Sequence, residues 1–476
     1  MEGLAITEVQ LKEVLYNKDR RIDTQFWTEK IFYNPILNYD RIGNCLESAQ
    51  YGVSISMNDE DRGYPIYRMN EIHNMLCDLE VSKCADLKMD EAAPFVLHDK
   101  DVLFNRTNSF EWVGRTGIYY KNIFDDRSYI FASYLVRFIP NQEKILPEYL
   151  VAFLNSKFGI KDIKRRARQS INQTNVNPEE VKEIKIPLLS FELQNLISNN
   201  FEAANLDRFV AQKKYAEAES LLIKSLGLQD VVLPSETINI KSFKDSFLST
   251  GRLDAEYYQS KYDIIEAKLD KFPRIKLGEL VKYPISSGIT PKAGGDDYTD
   301  SIDGIPFIRA VDLQDGQVNT DNFNYIKEHI HNNILKRTKL TQNDILFSIA
   351  GTVGRTAIFQ YDFEANINQA VAILRIDETV IKRLYLVSFF NSELGKLFIS
   401  KYARQGLQTN LNLNEVGDLS VPILPIGLQE QISNLIQKSF ELKTKSENLL
   451  FLAKRAVEVA IESNEVEAIK FISKNN

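Results

Sequence analysis

The sequence predicts a mixed α/β (α+β) globular domain built twice in tandem, each copy followed by a long helix. The two long helices are expected to pair antiparallel as a coiled-coil spacer and to relate the copies by a pseudo-two-fold axis. Three observations predict this. Arg21-Ile22-Asp23-Thr24-Gln25-Phe26-Trp27 returns as Arg252-Leu253-Asp254-Ala255-Glu256-Tyr257-Tyr258, and Tyr149-Leu150-Val151-Ala152-Phe153-Leu154-Asn155-Ser156 returns as Tyr385-Leu386-Val387-Ser388-Phe389-Phe390-Asn391-Ser392. Within each copy, short β-branched and aromatic runs alternate with stretches of helical periodicity. Each copy then ends in a stretch without Pro or Gly that is too long for a compact domain. The period, roughly 230–240 residues, is that of a domain plus an appendage rather than a solenoid unit.

The copies are collinear. Leu11-Lys12-Glu13-Val14-Leu15 matches Phe243-Lys244-Asp245-Ser246-Phe247 as a lead-in, and Arg41-Ile42-Gly43 matches Lys276-Leu277-Gly278. Gly63-Tyr64-Pro65-Ile66-Tyr67-Arg68 matches Gly304-Ile305-Pro306-Phe307-Ile308-Arg309, and Asp101-Val102-Leu103-Phe104 matches Asp344-Ile345-Leu346-Phe347. Val113-Gly114-Arg115-Thr116 matches Val353-Gly354-Arg355-Thr356. These landmarks read as strands, because Gly, Pro and Asn bound short β-rich runs. Residues 149–160 and 385–399 read as helices from apolar spacings of three and four.

The long helices follow the extended, Pro-bounded runs Ile186-Pro187-Leu188-Leu189 and Val421-Pro422-Ile423-Leu424. Leu193, Ile197, Phe201, Ala204, Leu206, Phe209 and Leu222 mark the apolar stripe of the first, which stops at Gly227. Leu428, Ile432, Leu435, Ile436, Leu449, Leu452, Ala456 and Val459 mark the second, which is expected to run to the chain end. A helix of about 35 residues is about 50 Å long and overruns a compact domain. That favours pairing as a ruler over packing on its own domain. The expected parts are domains 1–190 and 237–425, helices 191–227 and 426–476, and a linker 228–236.

The 476 residues suffice for two full cores, and no apolar run reaches the length of a membrane span. The start, Met1-Glu2-Gly3-Leu4, lacks a signal-peptide pattern. Cys45, Cys77 and Cys84 all fall in the first copy, so no disulfide framework is shared, and free thiols in a cytoplasmic protein are expected. A net charge of −7 excludes a uniformly basic nucleic-acid coat but not a local positive field. A pseudo-dimer suits a two-part target, and bipartite DNA is the leading one.

The order of motifs resembles that of the specificity (S) subunits of type I restriction-modification enzymes, over nearly the whole chain. The second copy carries the fuller pattern: Ser287-Gly288-Ile289-Thr290-Pro291, Gly304 to Arg309, Asp344-Ile345-Leu346-Phe347-Ser348, Gly351-Thr352-Val353-Gly354, residues 405–412, Val421-Pro422 and Leu428-Gln429-Glu430-Gln431. The first copy departs from it at Tyr51-Gly52-Val53-Ser54, Phe104-Asn105-Arg106-Thr107 and Gln169-Ser170-Ile171-Asn172. The resemblance implies two target recognition domains, each reading one half of a split double-stranded DNA sequence. It implies helices that set the gap and dock two adenine-N6 methyltransferase (M) subunits, with restriction (R) subunits joining to form an ATP-dependent endonuclease for phage defence. S-adenosylmethionine, ATP and Mg would be held by those partners, with no cofactor in this chain. The alternatives are a subunit of a related restriction class or phage-defence system, or a fused DNA-modifying enzyme with degenerate motifs.

Phosphate or base contacts are expected first from Lys161, Lys164, Arg165, Arg166 and Arg168, which carry five positive charges against that of Asp162, and from the weaker counterpart with Lys401 and Arg404. Gln169, Gln173 and Asn175 follow the basic run, and amides can bind adenine edges bidentately. Similar amides recur as Gln405, Gln408, Asn410 and Asn412. Features shared by domains that read different sequences suit a structural or partner-interface role, and Gln194 and Gln429 join that set. Specificity is expected where the copies differ: segments 54–62 and 289–303 with Thr290 and Lys292, and segment 105–112 with Arg106 and Asn108.

Catalytic motifs are missing. Asn34-Pro35-Ile36-Leu37 and Asn177-Pro178-Glu179-Glu180 lack the second Pro and the aromatic that grip a flipped adenine. No Gly-x-x-x-x-Gly-Lys-Ser/Thr loop is present, and Gly351 to Gly354 reads as a turn between strands. Asp101 and Asp344 read as turn caps rather than metal ligands, and His73, His98, His329 and His331 lack a metal-ligand spacing. A non-catalytic subunit is expected.

Overall fold

The structure, a computed structural model, describes residues 7–122, 125–171, 173–231, 233, 238–292, 295–314, 316–320, 322–404 and 409–475. It divides into two units, Met1–Phe209 with Leu442–Asn476, and Val210–Glu441. Each is mixed α/β.

The first unit is built on a six-stranded sheet in the order Leu46–Tyr51, Leu135–Pro140, Val102–Asn105, Thr116–Ile118, Leu76–Cys77, Ile72–His73. Val102–Asn105 is buried along its whole length, so its run needs no polar alternation. Helix Pro147–Leu154, with Pro at its first turn, is buried throughout, and Tyr149, Leu150 and Phe153 belong to the same core as Phe104 and Phe138. The single helices expected over 149–160 and 385–399 each break in two, because Ser156 caps Lys157–Arg166 by accepting from Gly159 N at 3.2 Å and Ser392 caps Glu393–Tyr402 in the same way. A second sheet holds Ile130–Phe131, Tyr64–Tyr67 and Cys84–Ala85. The strand Lys185–Pro187 returns to pair with Tyr39–Arg41.

The second unit repeats this order with Ser286–Ser287, Val371–Leu374, Ile345–Ser348, Thr356–Ile358, Gly316–Val318 and Leu313–Gln314. The fourth and fifth strands are parallel in both units, and their other neighbours antiparallel. Gly114 and Gly354 occupy one turn in the two copies, at φ 90° and 92°. A Cβ there would lie 2.5 Å from Ile163 and from Ile399 respectively, so both the turn and the helix behind it demand glycine. The Gly351 to Gly354 segment is thus a strand connection, as its sequence suggests.

Helix Phe191–Ser225 ends at Gly227, at φ 66°. Gly227 N donates to Lys224 O and Leu228 N to Ile223 O, which ties off the last free carbonyls. In the first unit its residues Leu193, Ile197, Phe201 and Ala204 share a core with Leu450, Ala453, Val457 and Ile461, and Ser446 Oγ donates to Ala204 O at 2.7 Å. In the second unit Ala218 and Leu222 share a core with Ile432, Ile436 and Phe440, and Ser439 Oγ donates to Ala211 O at 2.7 Å.

The helix expected over 426–476 is instead two, Ile426–Glu462 and Glu465–Asn475. Asn34 Nδ2 takes the carbonyls of Ile461 and Ser463 at 3.0 Å each, ending the first. Asn464 Oδ1 accepts from Glu467 N at 3.0 Å, starting the second. Ala468 and Ile472 then join the core of the first unit.

Candidate nucleic-acid interface

Side chains that recur in both copies do the same work inside each. Gln194 Oε1 accepts from Leu146 N at 2.7 Å and its Nε2 donates to Leu189 O at 2.8 Å. Gln429 does likewise with Lys382 N and Leu424 O, at 2.9 and 2.8 Å. Each is buried and ties the first turn of a long helix to its own domain. Arg21 Nη1 donates to Arg166 O, and Arg252 Nη1 to Tyr402 O. Asp101 accepts from His98 N and pairs with Arg137, while Asp344 accepts from Thr341 N and pairs with Arg375. Both aspartates are turn caps, as expected.

The basic stretch is largely turned inward. Arg166 is buried, with Nε donating to Asp162 Oδ1 at 3.0 Å and Nη1 to Glu180 Oε2 at 2.7 Å. Arg165 donates to Asp162 Oδ1 and to Phe26 O. Lys164 Nζ donates to the carbonyls of Phe110, Glu111 and Val113. Burial pushes its amine down to about 8, with Arg115 adding to the effect and Glu111 opposing it. These three clamp helix and loop to the domain. Lys161 and Arg168 are exposed: Lys161 forms no ion pair among the described residues, whereas Arg168 bonds Asp19 O at 2.7 Å and pairs with the Asp19 carboxylate at 3.1 Å. In the second copy Lys401 is bound to Glu266 and lies over Tyr257, whereas Arg404 is exposed and donates to Glu415 at 2.6 Å.

The amides divide in the same way. Arg168–Gln169 pairs with Thr174–Asn175 as a small hairpin, and Gln169, Ile171 and Gln173 at its tip are exposed, Ile171 at 98%. Asn175 faces inward, accepting from Thr107 Oγ1. Asn410 bridges Ala350 and Arg404 through its backbone. Asn412 caps Leu413–Asp418 in a reciprocal capping box with Glu415. Gln405 and Gln408 lie outside the described residues.

Where the copies differ, several groups face solvent. Arg106 is half-buried with its guanidinium 5.2 Å from the Tyr51 ring centroid. Asn108 is half-buried and accepts from Ser109 N. Thr290 Oγ1 accepts from Gln369 N at 3.3 Å, and Lys292 is exposed. The exposed tyrosine beside Arg106 was visible in the sequence only as a departure from a Ser-Gly string. Together these surfaces offer cations, amides and aromatics, the groups that bind phosphates and base edges.

No cluster of three or more His, Cys, Asp or Glu among the described residues suits a metal ion. Burial raises all three thiols, Cys45 to about 11, which keeps them protonated.

The chain matches the family model described as type I restriction modification DNA specificity domain twice, over residues 52–214 and 270–450. It is 24% identical over 420 residues to the type I restriction enzyme MjaX specificity subunit of Methanocaldococcus jannaschii, covering 87% of this chain and 90% of that one. It is 26% identical over 240 residues to the EcoBI specificity subunit of Escherichia coli, covering 48% and 49%. A solved S subunit of a type I restriction-modification system from M. genitalium aligns over 93% of this chain and 97% of its own, at 14% identity and a TM-score of 0.39. With each copy of the duplicated frame matched separately, the chain belongs to the family of type I restriction modification DNA specificity domains.

Proposed function

We propose that this chain is the DNA-recognition subunit of a type I restriction-modification complex and does no chemistry itself. One observation carries the reading: the family match falls once on each copy of an internally repeated domain. Each copy reads one half of a bipartite duplex target. The residues at hand for phosphates are Lys161, Arg168, Lys292 and Arg404, and Gln169, Gln173, Asn108 and Thr290 offer polar contacts near them. The long helices pair antiparallel as a coiled-coil spacer, fixing the gap and docking two M subunits. Their lengths support this, as do the two serine-to-carbonyl bonds at Ala204 and Ala211. S-adenosylmethionine, ATP and Mg belong to the M and R partners, and the complex works in the cytoplasm. No described helix is long and apolar enough to cross a membrane.

The test is a module swap in the assembled complex with its methyltransferase. Replacing residues 1–190 by the equivalent domain of another such subunit is expected to change one half of the methylated sequence and leave the other half and the gap intact. A change in both halves, or methylation indifferent to the swap, overturns the reading.

A further inference from the structure

The two copies share one backbone frame at the edge of the main sheet and fill it with different side chains. In the first copy Arg106 N donates to Tyr134 O at 3.0 Å, and Arg106 O accepts from Val176 N at 2.9 Å. In the second, Ile349 N donates to Ala370 O at 2.8 Å, and Ile349 O accepts from Leu411 N at 2.9 Å. These bonds make Arg106 and Ile349 equivalent. Tyr51 and Ser287 are equivalent too, through the pairings Val136↔Tyr51 and Ala372↔Ser287. Both precede a glycine, Gly52 or Gly288, whose Cβ would collide with a neighbouring carbonyl.

The fillings differ in chemistry. Ile349 is buried, a plain piece of core. Arg106 instead lies over the Tyr51 ring, and Tyr51 is 47% exposed. Its Nε is buried without a partner, and among the described residues no carboxylate or carbonyl takes its terminal nitrogens. Arg68, Arg137, Arg165, Arg166, Arg309 and Arg375, by contrast, are all paired with carboxylates. A half-buried guanidinium without a counter-charge is costly unless an outside acceptor completes it. The Tyr51 ring beneath it favours the cation by its face and leaves the rigid terminal fork to an outside acceptor.

We infer that Arg106, positioned by Tyr51, reads the O6/N7 edge of a guanine in the half-target of the first copy. The inference rests on the DNA-specificity reading above. A phosphate contact serves any duplex and would be wanted at the same place in both copies, whereas a base contact belongs to one. The planar fork matches guanine's two adjacent major-groove acceptors, which an ammonium cannot span.

The experiment uses the full chain assembled with its methyltransferase, with methylated adenines mapped across a genome. Arg106→Ala and Arg106→Lys are both expected to relax one guanine position in one half of the target, by about ten- to a hundredfold in discrimination. The other half stays unchanged. Tyr51→Leu is expected to relax the same position less, and Tyr51→Phe to behave as the parent. The inference is overturned if Arg106→Lys keeps the parental target, or if either Arg106 variant lowers methylation evenly at all sites with the sequence unaltered. Should Arg106→Ala fail to fold, the lysine variant alone decides. A different failure, methylation that does not depend on this chain at all, sinks the underlying DNA-specificity reading instead.

Discussion

Helix Lys157–Arg166 and helix Glu393–Tyr402 stand at the same place in the two copies, and their last residues, Arg166 and Tyr402, are held by different chemistry. In the first, buried Asp162 joins Arg165 and Arg166, and Glu180 completes the network. In the second, Phe398 packs near Phe389, and Tyr402 meets Tyr257 edge-on at 5.8 Å. The frame is the same in both, since Arg21 and Arg252 donate to the carbonyls of Arg166 and Tyr402. One fold position thus accepts an ionic or an aromatic filling. A run of arginines here says how the helix is fastened before it says what the protein touches.

The largest effect that would sharpen this contrast is Arg166→Ala. It takes one of two guanidinium partners from buried Asp162 and the charged partner from buried Glu180, and is expected to cost about 3–5 kcal/mol in denaturant unfolding. Tyr402→Phe at the equivalent place removes only a hydroxyl and is expected to cost about 1 kcal/mol or less. Equal losses would break the comparison. Next come Gln194→Ala and Gln429→Ala, which sit in matching bonds. Each leaves a buried amide and carbonyl unpaired and is expected to cost roughly 1–3 kcal/mol, alike in the two copies. A clear asymmetry would show that the helix junctions are not equivalent.

The smallest effect is a pH dependence shared by both copies. Hydrogen bonds from Arg21 hold Asp23 below its ordinary value of 3.8, and those from Arg252 do the same for Asp254, burial opposing in each case. A depressed folded-state value means stability present above about 3.8 and lost as pH falls through the lower folded value. Both carboxylates are partly exposed, so Asp23→Asn and Asp254→Asn are each expected to cost under ~1 kcal/mol at neutral pH. Stability curves of variant and parent are expected to converge in acid. A gap persisting there would mean the aspartates act by shape rather than charge.

The duplicated frame was legible because it depends on local demands: glycine at the Gly114 and Gly354 turns and aspartate caps at Asp101 and Asp344. The inward turn of the basic stretch was not legible. Besides Asp162 within the run, its partners Glu180 and the carbonyl of Phe26 are brought to it by the fold, not by neighbourhood along the chain. The break at Ser463-Asn464 escaped for the same reason, since Asn34 reaches those carbonyls from the opposite end of the sequence. Arg106 was legible as a residue in an insertion. Its tyrosine platform emerged only once strand pairing set Tyr51 beneath it.

The discontinuity of the first unit bears on biosynthesis. Val210–Glu441 is one unbroken stretch and has all its own residues once they leave the ribosome. The earlier unit has to wait, because Leu450, Ala453, Val457, Ile461, Ala468 and Ile472 are part of its interior. For about the time needed to translate the intervening half of the chain, Leu193, Ile197 and Phe201 lack their cover. Nascent-chain maturation therefore runs out of sequence order here, and the first-made module is the last to be finished.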